Sequence, residues 1–427
     1  MPNAYESMDT ATLDETIATL EAEADALKAR DLHLDMARGK PSPEQADLSR
    51  PMLDVLTSTS DLTDEGVDVA NYGCPDGIPS ARRLMADVLD VDPADLVVSG
   101  SSSLSLMYGV VSHAMTHGVC GGTPWGRQDH VRFLCPSPGY DRHFAITERF
   151  GLENVPVPML ADGPDMDEVC RLVEGDPSVK GIWCVPKYSN PTGVTYSDEV
   201  VRRFATMRPA APDFRVFWDN AYVVHDLTQP GDRLLNVFDA LAEEGVTDRV
   251  YEFASTSKVT FAGSGIACVT ASPTDMADLR RSFSFERVCP DKICQLMHAR
   301  YLIDAAGVHK HMAAQAEVLR PRFQLVEEKL TEGLADLGCA SWSHPHGGYF
   351  VSLDGPEGSA KAIVSLAADL GVRMTGAGAT WPGGDDPRDT NIRIAPSYPS
   401  LDELSQALDV LVVCVRLVSA RLARSAR

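Results

Sequence analysis

The sequence predicts an α/β protein: a large domain on a mainly parallel sheet wrapped by helices, joined to a smaller α+β domain. Three observations lead there. The chain has 427 residues, too many for one simple core. Between about 60 and 310, short and nearly continuous apolar runs alternate with stretches of helical period, as expected for parallel strands covered on both faces. After a long helical stretch that alternation stops, and a compact mixture of strands and helices follows.

Taken in order, Thr12-Leu13-Asp14-Glu15 reads as a capping box opening a helix. Leu13, Ile17, Leu20, Ala24 and Leu27 continue it at three- and four-residue steps. That stripe is narrow, so the segment is expected to dock on the protein as an arm. Strands are expected at 96–99, 131–135, 181–185, 215–219, 250–254 and 266–270, with helices at 103–117, 141–150, 197–207 and 234–244. A helix over 310–337 leads to strands at 349–353 and 391–395 and helices at 359–370 and 400–420. The resulting division is 1–60 as arm and part of the small domain, 61–315 as the large domain and 316–427 as the small one. The cleft between them is the expected site.

Composition excludes several classes. With 38 basic against 61 acidic residues the net charge is −23, which argues against a nucleic-acid partner. An anionic substrate then needs a local cluster of Arg or Lys. The ten cysteines include no C-x-x-C pair and several lie in apolar runs, so they read as reduced residues of a cytoplasmic protein. The polar, acidic start carries no signal-peptide pattern, and the apolar run 410–415 is too short to span a bilayer. His344 and His346 are spaced i, i+2 and there is no H-E-x-x-H, so no metal is expected.

Five segments carry the chemistry, each at the end of an expected strand. Ser99-Gly100-Ser101-Ser102-Ser103 opens a helix, where free N–H groups and small hydroxyls suit a phosphate. By itself a serine-rich turn capping a helix is the plainer reading. Tyr140, in Pro138-Gly139-Tyr140, can stack on a flat ligand, although a turn tyrosine looks the same. Asn190, in Lys187-Tyr188-Ser189-Asn190-Pro191-Thr192-Gly193, is turned toward the cleft by the Asn-Pro turn. Asp219 closes an apolar strand, which is costly unless it meets a cation or strong donor such as a protonated pyridine nitrogen. Tyr222 follows three residues later, within reach of a phenolic oxygen on the same ring. Lys258, in Ser255-Thr256-Ser257-Lys258, is placed to be desolvated, which lowers an amine's pKa and frees it to attack a carbonyl. Taken alone, a helix cap explains Asp219 and a surface loop explains Lys258.

Together the segments make the contact set for pyridoxal 5′-phosphate (PLP). Their order, with Lys258 about 40 residues after Asp219, resembles the fold-type I, class I/II aminotransferases from about Leu34 to Leu417. The strings Arg-Gly-Lys-Pro-Ser-Pro, Trp-Cys-Val-Pro-Lys-Tyr-Ser-Asn-Pro-Thr-Gly and Phe-Ala-Gly-Ser-Gly are similar to those of a divergent bacterial aspartate aminotransferase subgroup. The resemblance implies a seven-stranded sheet in the large domain and a homodimer with shared active sites. It implies a Schiff base on Lys258, with Asp219 and Tyr222 as its catalytic partners. Gly100, Ser101, Ser102, Tyr140, Asn190, Ser255 and Ser257 become cofactor contacts, and Tyr72 reaches the phosphate of a neighbouring subunit. Arg393 would pair with the substrate α-carboxylate, beside Gly39 and Asn190.

One departure stands out. The family's phosphate-binding arginine, eight residues after the lysine, is Ile266 here, so extra hydroxyl donors from Ser255, Ser257 or Ser102 are expected to take over. The implied reaction moves the amino group of an L-amino acid, aspartate foremost, to a 2-oxo acid such as 2-oxoglutarate by a ping-pong path. Arg38, Lys40, Arg142 and Lys187 are the candidates for a distal carboxylate. A PLP lyase or decarboxylase would use the same contacts. A non-catalytic effector-binding module would normally bring a basic DNA-binding segment, which the acidic N-terminus does not supply. A nicotinamide dehydrogenase would need G-x-G-x-x-G, which Gly100 to Leu104 lacks.

Overall fold

The computed structural model describes residues 3–427. Its main sheet has eight strands: β1 (Leu96–Val98), β2 (Arg132–Ser137), β3 (Glu153–Leu160), β4 (Gly163–Pro164), β5 (Val179–Cys184), β6 (Arg215–Asp219), β7 (Val250–Ser255) and β8 (Ala267–Thr270). Their spatial order is β1-β8-β7-β6-β5-β2-β3-β4. The run β7-β6-β5-β2-β3 is parallel, while β8 is antiparallel to both neighbours and two-residue β4 is antiparallel to β3. Seven strands thus form the sheet proper, and β4 adds a short hairpin at its edge. Because β8 reverses between β7 and β1, the carboxyl ends of β1, β2, β5, β6 and β7 share one edge.

β3 is absent from the sequence expectations. Its Pro156 and Pro158 cannot donate to a ladder, and such runs are read as weak strands. The strand survives because it lies beside the sheet edge, with only two-residue β4 beyond it. Buried side chains fill both faces. Val97, Phe133, Trp183, Phe217, Tyr251 and Phe253 pack on one, and Leu134, Ile182, Val216, Trp218 and Val250 on the other.

A second core joins the two ends of the chain. Helix α1 (Thr10–Lys28), the last helix α6 (Leu401–Ser425) and a three-stranded antiparallel sheet of β9 (Ser341–Trp342), β10 (Val351–Asp354) and β11 (Asn391–Ile394) contribute to it. Leu13, Leu20 and Ala24 of α1 are buried against Leu411, Val415 and Val418 of α6. The cap of α1 is Asp9, whose side chain accepts from Thr12 N–H, and not Thr12 as expected. Aspartate is the stronger cap, so the box-like spacing at Thr12 misplaced the cap by three residues. Between the cores, α4 (Lys292–Leu302) and the 30-residue α5 (Ala305–Leu334) run on. α5 buries Val308 and Met312 beside the large sheet's clusters and Val326, Leu330 and Leu334 in the second core. Among the described residues, no helix is long and apolar enough to cross a membrane.

Close approach of β2 and β5 requires a glycine at 181. A Cβ there would lie 2.3 Å from a Phe133 ring carbon, and that ring is wedged against Trp183 and Phe217 at centroid distances of 4.9 and 5.3 Å. Gly181→Ala should therefore destabilise the protein by about 1–3 kcal/mol, the usual cost of overpacking. Differential scanning calorimetry should show a lower Tm, and an unchanged Tm would contradict the packing described.

Candidate active site

The shared strand edge opens into a cavity of about 680 Å³. Ser102, Ser103, Tyr140, Asn190, Asp219, Tyr222, Ser255, Ser257 and Lys258 line it from the large sheet, and Gly39, Phe350, Thr375 and Arg393 from the other side. Ligands bind at this edge of α/β sheets because the strand ends present side chains and helix N-termini together.

The segment after β1 is built as an anion cradle. Ser102 is the N-cap of α2 (Ser103–His117), but its side chain makes no capping bond, so the first N–H groups of the helix remain free. Ser257 Oγ donates to Ser101 O at 2.7 Å and Ser255 Oγ to Ser257 Oγ at 3.2 Å, which draws the β7 loop against the cradle. Gly100 and Ser101 are exposed beside the cavity and do not line it. Ile266 is buried in an apolar cluster, its N–H donating to Thr256 Oγ1 at 2.9 Å. Besides Lys258, the cavity's cations, Arg38, Lys40, Arg142, Arg373 and Arg393, all come from other segments.

Asp219 is buried and half satisfied. Its Oδ2 lies 2.9 Å from His143 Nε2, while Oδ1 is buried with no partner. His143 stacks on Trp183 at 4.6 Å and meets Tyr140 edge-on at 4.9 Å. Sequence reasoning missed His143. Its only signal is its place one helical turn after Tyr140, in α3 (Asp141–Arg149). Burial pushes the Tyr222 and Tyr140 hydroxyls up, so both stay protonated. Lys258 Nζ sits 4.7 Å from the centroid of the Tyr222 ring and has no carboxylate partner among the described residues.

The turn that carries Lys258 is held by buried polar groups that sequence reasoning also missed. His298 Nε2 reaches Thr256 Oγ1 at 3.1 Å and Thr260 Oγ1 at 2.8 Å. His311 Nε2 and Gln315 Nε2 meet Val259 O at 2.8 and 3.2 Å. Tyr349 donates to Lys258 O at 3.4 Å and accepts from Gln45 at 2.9 Å. His225 Nε2 lies 3.4 Å from the same Lys258 carbonyl.

On the opposite wall, Arg393 of β11 donates to Asn190 Oδ1 at 3.2 Å, Asp141 Oδ1 at 3.1 Å and Thr375 Oγ1 at 3.3 Å. Its guanidinium lies 4.9 Å from the Phe350 ring centroid, and a Cβ on Gly39 would come within 2.3 Å of that ring. Of the distal-carboxylate candidates, Arg38, Lys40 and Arg142 line the cavity without an ion pair among the described residues. Lys187 does not. It is buried elsewhere, paired with Asp226 at 2.8 Å and donating to Val223 O at 3.0 Å. The residue after the strand end simply points the other way. Arg373, not anticipated, also lines the cavity but is paired with Asp35. Tyr72 is 80% exposed and does not line this cavity.

The model of the aspartate aminotransferase family matches residues 8–426. This chain belongs to the aspartate aminotransferase family. The aspartate aminotransferase of Corynebacterium glutamicum is 43% identical over 397 residues, covering 93% of this chain and 92% of that protein. The crystal structure of an aspartate transaminase from C. glutamicum superposes with a TM-score of 0.96 at 41% identity, over 98% of this chain and 99% of that one. The α-aminoadipate aminotransferase of Thermus thermophilus, solved with N-(5′-phosphopyridoxyl)-L-leucine, shares the fold at 19% identity, with a TM-score of 0.74 and coverage of 92% and 95%. The chain is accordingly an aminotransferase of α/β, fold-type I architecture.

Burial and the nearby Lys258 push His225 of this aminotransferase down to about 3 from an ordinary 6.5. The unfolded chain therefore takes up a proton near pH 6.5 that the folded one refuses. Stability from the neutral imidazole is complete above that pH and is lost as pH falls toward 3. Tm should drop between pH 7 and pH 4.5, and His225→Asn should flatten the drop. Parallel Tm profiles for the two proteins would exclude a buried neutral His225.

Proposed function

We propose that this aminotransferase uses pyridoxal 5′-phosphate to move the amino group of aspartate to 2-oxoglutarate by a ping-pong path. One observation carries the reading: a single cavity presents an amine without a counter-ion, Lys258 Nζ, and an open buried carboxylate oxygen, Asp219 Oδ1. A protonated pyridine nitrogen is the donor that such an oxygen lacks. The uncapped start of α2 and the Ser255 and Ser257 hydroxyls fit the phosphate, so the residues present suit the cofactor. The PLP adduct in the T. thermophilus neighbour and the aspartate in the names of the C. glutamicum relatives support the same reading.

When bound, the cofactor supplies an electron sink for a developing carbanion. The chain's residues do the rest. Asp219 would accept the pyridine N–H through Oδ1, and His143, locked by the Trp183 stack, keeps the carboxylate oriented. Tyr222, held protonated, would donate to the ring's phenolic oxygen, and Tyr140 would offer its ring as a stacking surface. Lys258 would hold the cofactor, and its free Nζ would take the substrate's α-proton and return it. Arg393 grips the α-carboxylate with Asn190 beside it, while Gly39 leaves the room that Phe350 requires. Arg38, Lys40 and Arg142 are the cations left for a second carboxylate.

Two units suit this arrangement: 61–315 around the large sheet, and 316–427 with part of 1–60 around the second core. A homodimer suits the exposed Tyr72, Phe285 and Val288, at 80%, 86% and 66%. Lys292 Nζ reaches the Tyr72 carbonyl at 3.4 Å, which brings these segments together at the start of α4. Ten unpaired cysteines suit the reducing cytoplasm.

Lys258→Ala should abolish both turnover and the visible absorbance of the lysine-bound cofactor; retention of either would sink the assignment. A panel of aspartate, glutamate, alanine and aromatic donors against 2-oxoglutarate should rank aspartate first by kcat/KM. Product formation without any 2-oxo acid would instead indicate a lyase or decarboxylase.

A further inference from the structure

Arg393 already has a carboxylate partner in this chain. Asp141 is the first residue of α3, on the large-sheet side, and Arg393 belongs to β11 of the three-stranded sheet. Their ion pair, 3.1 Å long, therefore crosses the cavity and ties the two parts together. Adjacent bonds follow the same path. Gly139 N–H donates to Thr380 O at 2.8 Å, and Gly383 N–H donates to the Glu148 carboxylate at 2.9 Å.

The pair is incomplete in a specific way. Asp141 engages one nitrogen, Nη1, while Nη2 is left to Thr375 Oγ1 at 3.3 Å, and Nε is buried with no partner at all. A guanidinium can bind a carboxylate through two parallel bonds, and this one is held by a single one. The exposures also differ: the Arg393 side chain is 8% exposed and that of Asp141 33%. The arginine cannot be left without a counter-charge at low cost, whereas the aspartate can return to water.

We propose that Asp141 is an internal stand-in for the substrate's α-carboxylate. It neutralises and positions Arg393 across the cleft, and the incoming carboxylate displaces it. This rests on the reading of Arg393 as the α-carboxylate clamp. Every carboxylate ligand then competes with Asp141, so its apparent affinity is lowered by the fraction of Arg393 already engaged. An amine without a carboxylate has nothing with which to displace Asp141, so the pair also acts as a filter on substrate class. The amino acid and the oxo acid meet the same arginine, so both half-reactions carry the same handicap.

The test uses the PLP-loaded enzyme. Asp141→Asn should lower KM for aspartate and for 2-oxoglutarate together by about two- to fivefold, the scale of a partly exposed ion pair. Inhibition by succinate, a non-reacting dicarboxylate, should tighten by the same factor, with kcat moving less than KM. Asp141→Glu, which keeps the charge, should stay near the parent. If Asp141→Asn folds poorly by Tm, Asp141→Ser should give the same split. Arg393→Lys separates the two readings. Were it to leave KM unchanged, the clamp reading itself would fail. If Arg393→Lys raises KM while the Asp141 variants leave KM and succinate inhibition unchanged or weaker, the stand-in is overturned and the clamp stands.

Discussion

A carboxylate buried at a strand end with one oxygen bound and the other open is the constraint around which this site is arranged. Asp219 closes β6, where burial without compensation would be costly. His143 supplies compensation to one oxygen only. That histidine is fixed by stacking on Trp183, which belongs to the same aromatic layer as Phe133 and Phe217. The orientation of the open oxygen is thus set by the packing of the sheet face. A change in that layer, such as a methyl group at Gly181, reaches the site through Phe133 and Trp183.

Lys258 is placed by different means. Among the described residues no ion pair holds its amine; its backbone is fixed by neutral polar groups from α4, α5 and Tyr349 just before β10. Burial keeps His298 and His311 below the ordinary histidine pKa, so they act as hydrogen-bonding groups without charge near the amine. Such a network fixes the geometry of the turn while leaving the amine free of a competing carboxylate. The opposite wall uses charge instead: Arg393 is buried and meets Asp141 and Asn190 across the cleft. One wall is therefore set by packing and neutral bonds, and the other by an ion pair that a ligand can replace.

Much of the fold was legible because its signals are local. Nearly continuous apolar runs bounded by turn residues located β1, β2, β5, β6, β7 and β8 to within a few residues. β3 escaped because Pro156 and Pro158 break the pattern, and only its position beside the sheet edge makes them tolerable. α4 escaped because its buried face carries Lys292, Gln295 and His298, so no apolar stripe marks it. Of these, His298 braces the Lys258 turn, while Gln295 accepts from Ile78 N–H and Lys292 holds the Asp68 and Tyr72 carbonyls. Lys187 was misjudged because a side chain's direction after a strand end depends on the turn that follows.

The sequence by itself determined the α/β class, the strand ends and the residue types waiting there: serines, Tyr140, Asn190, Asp219, Tyr222 and Lys258. These follow from period, composition and order along the chain, which short-range sterics and burial control. Only the tertiary structure decided which of them share a cavity, that His143 and not solvent faces Asp219, and that Asp141 meets Arg393. Those pairs are separated by 76 and 252 residues. Their meeting depends on how β6 stacks against α3 and how the end of the chain folds back over the sheet, and no local pattern encodes that.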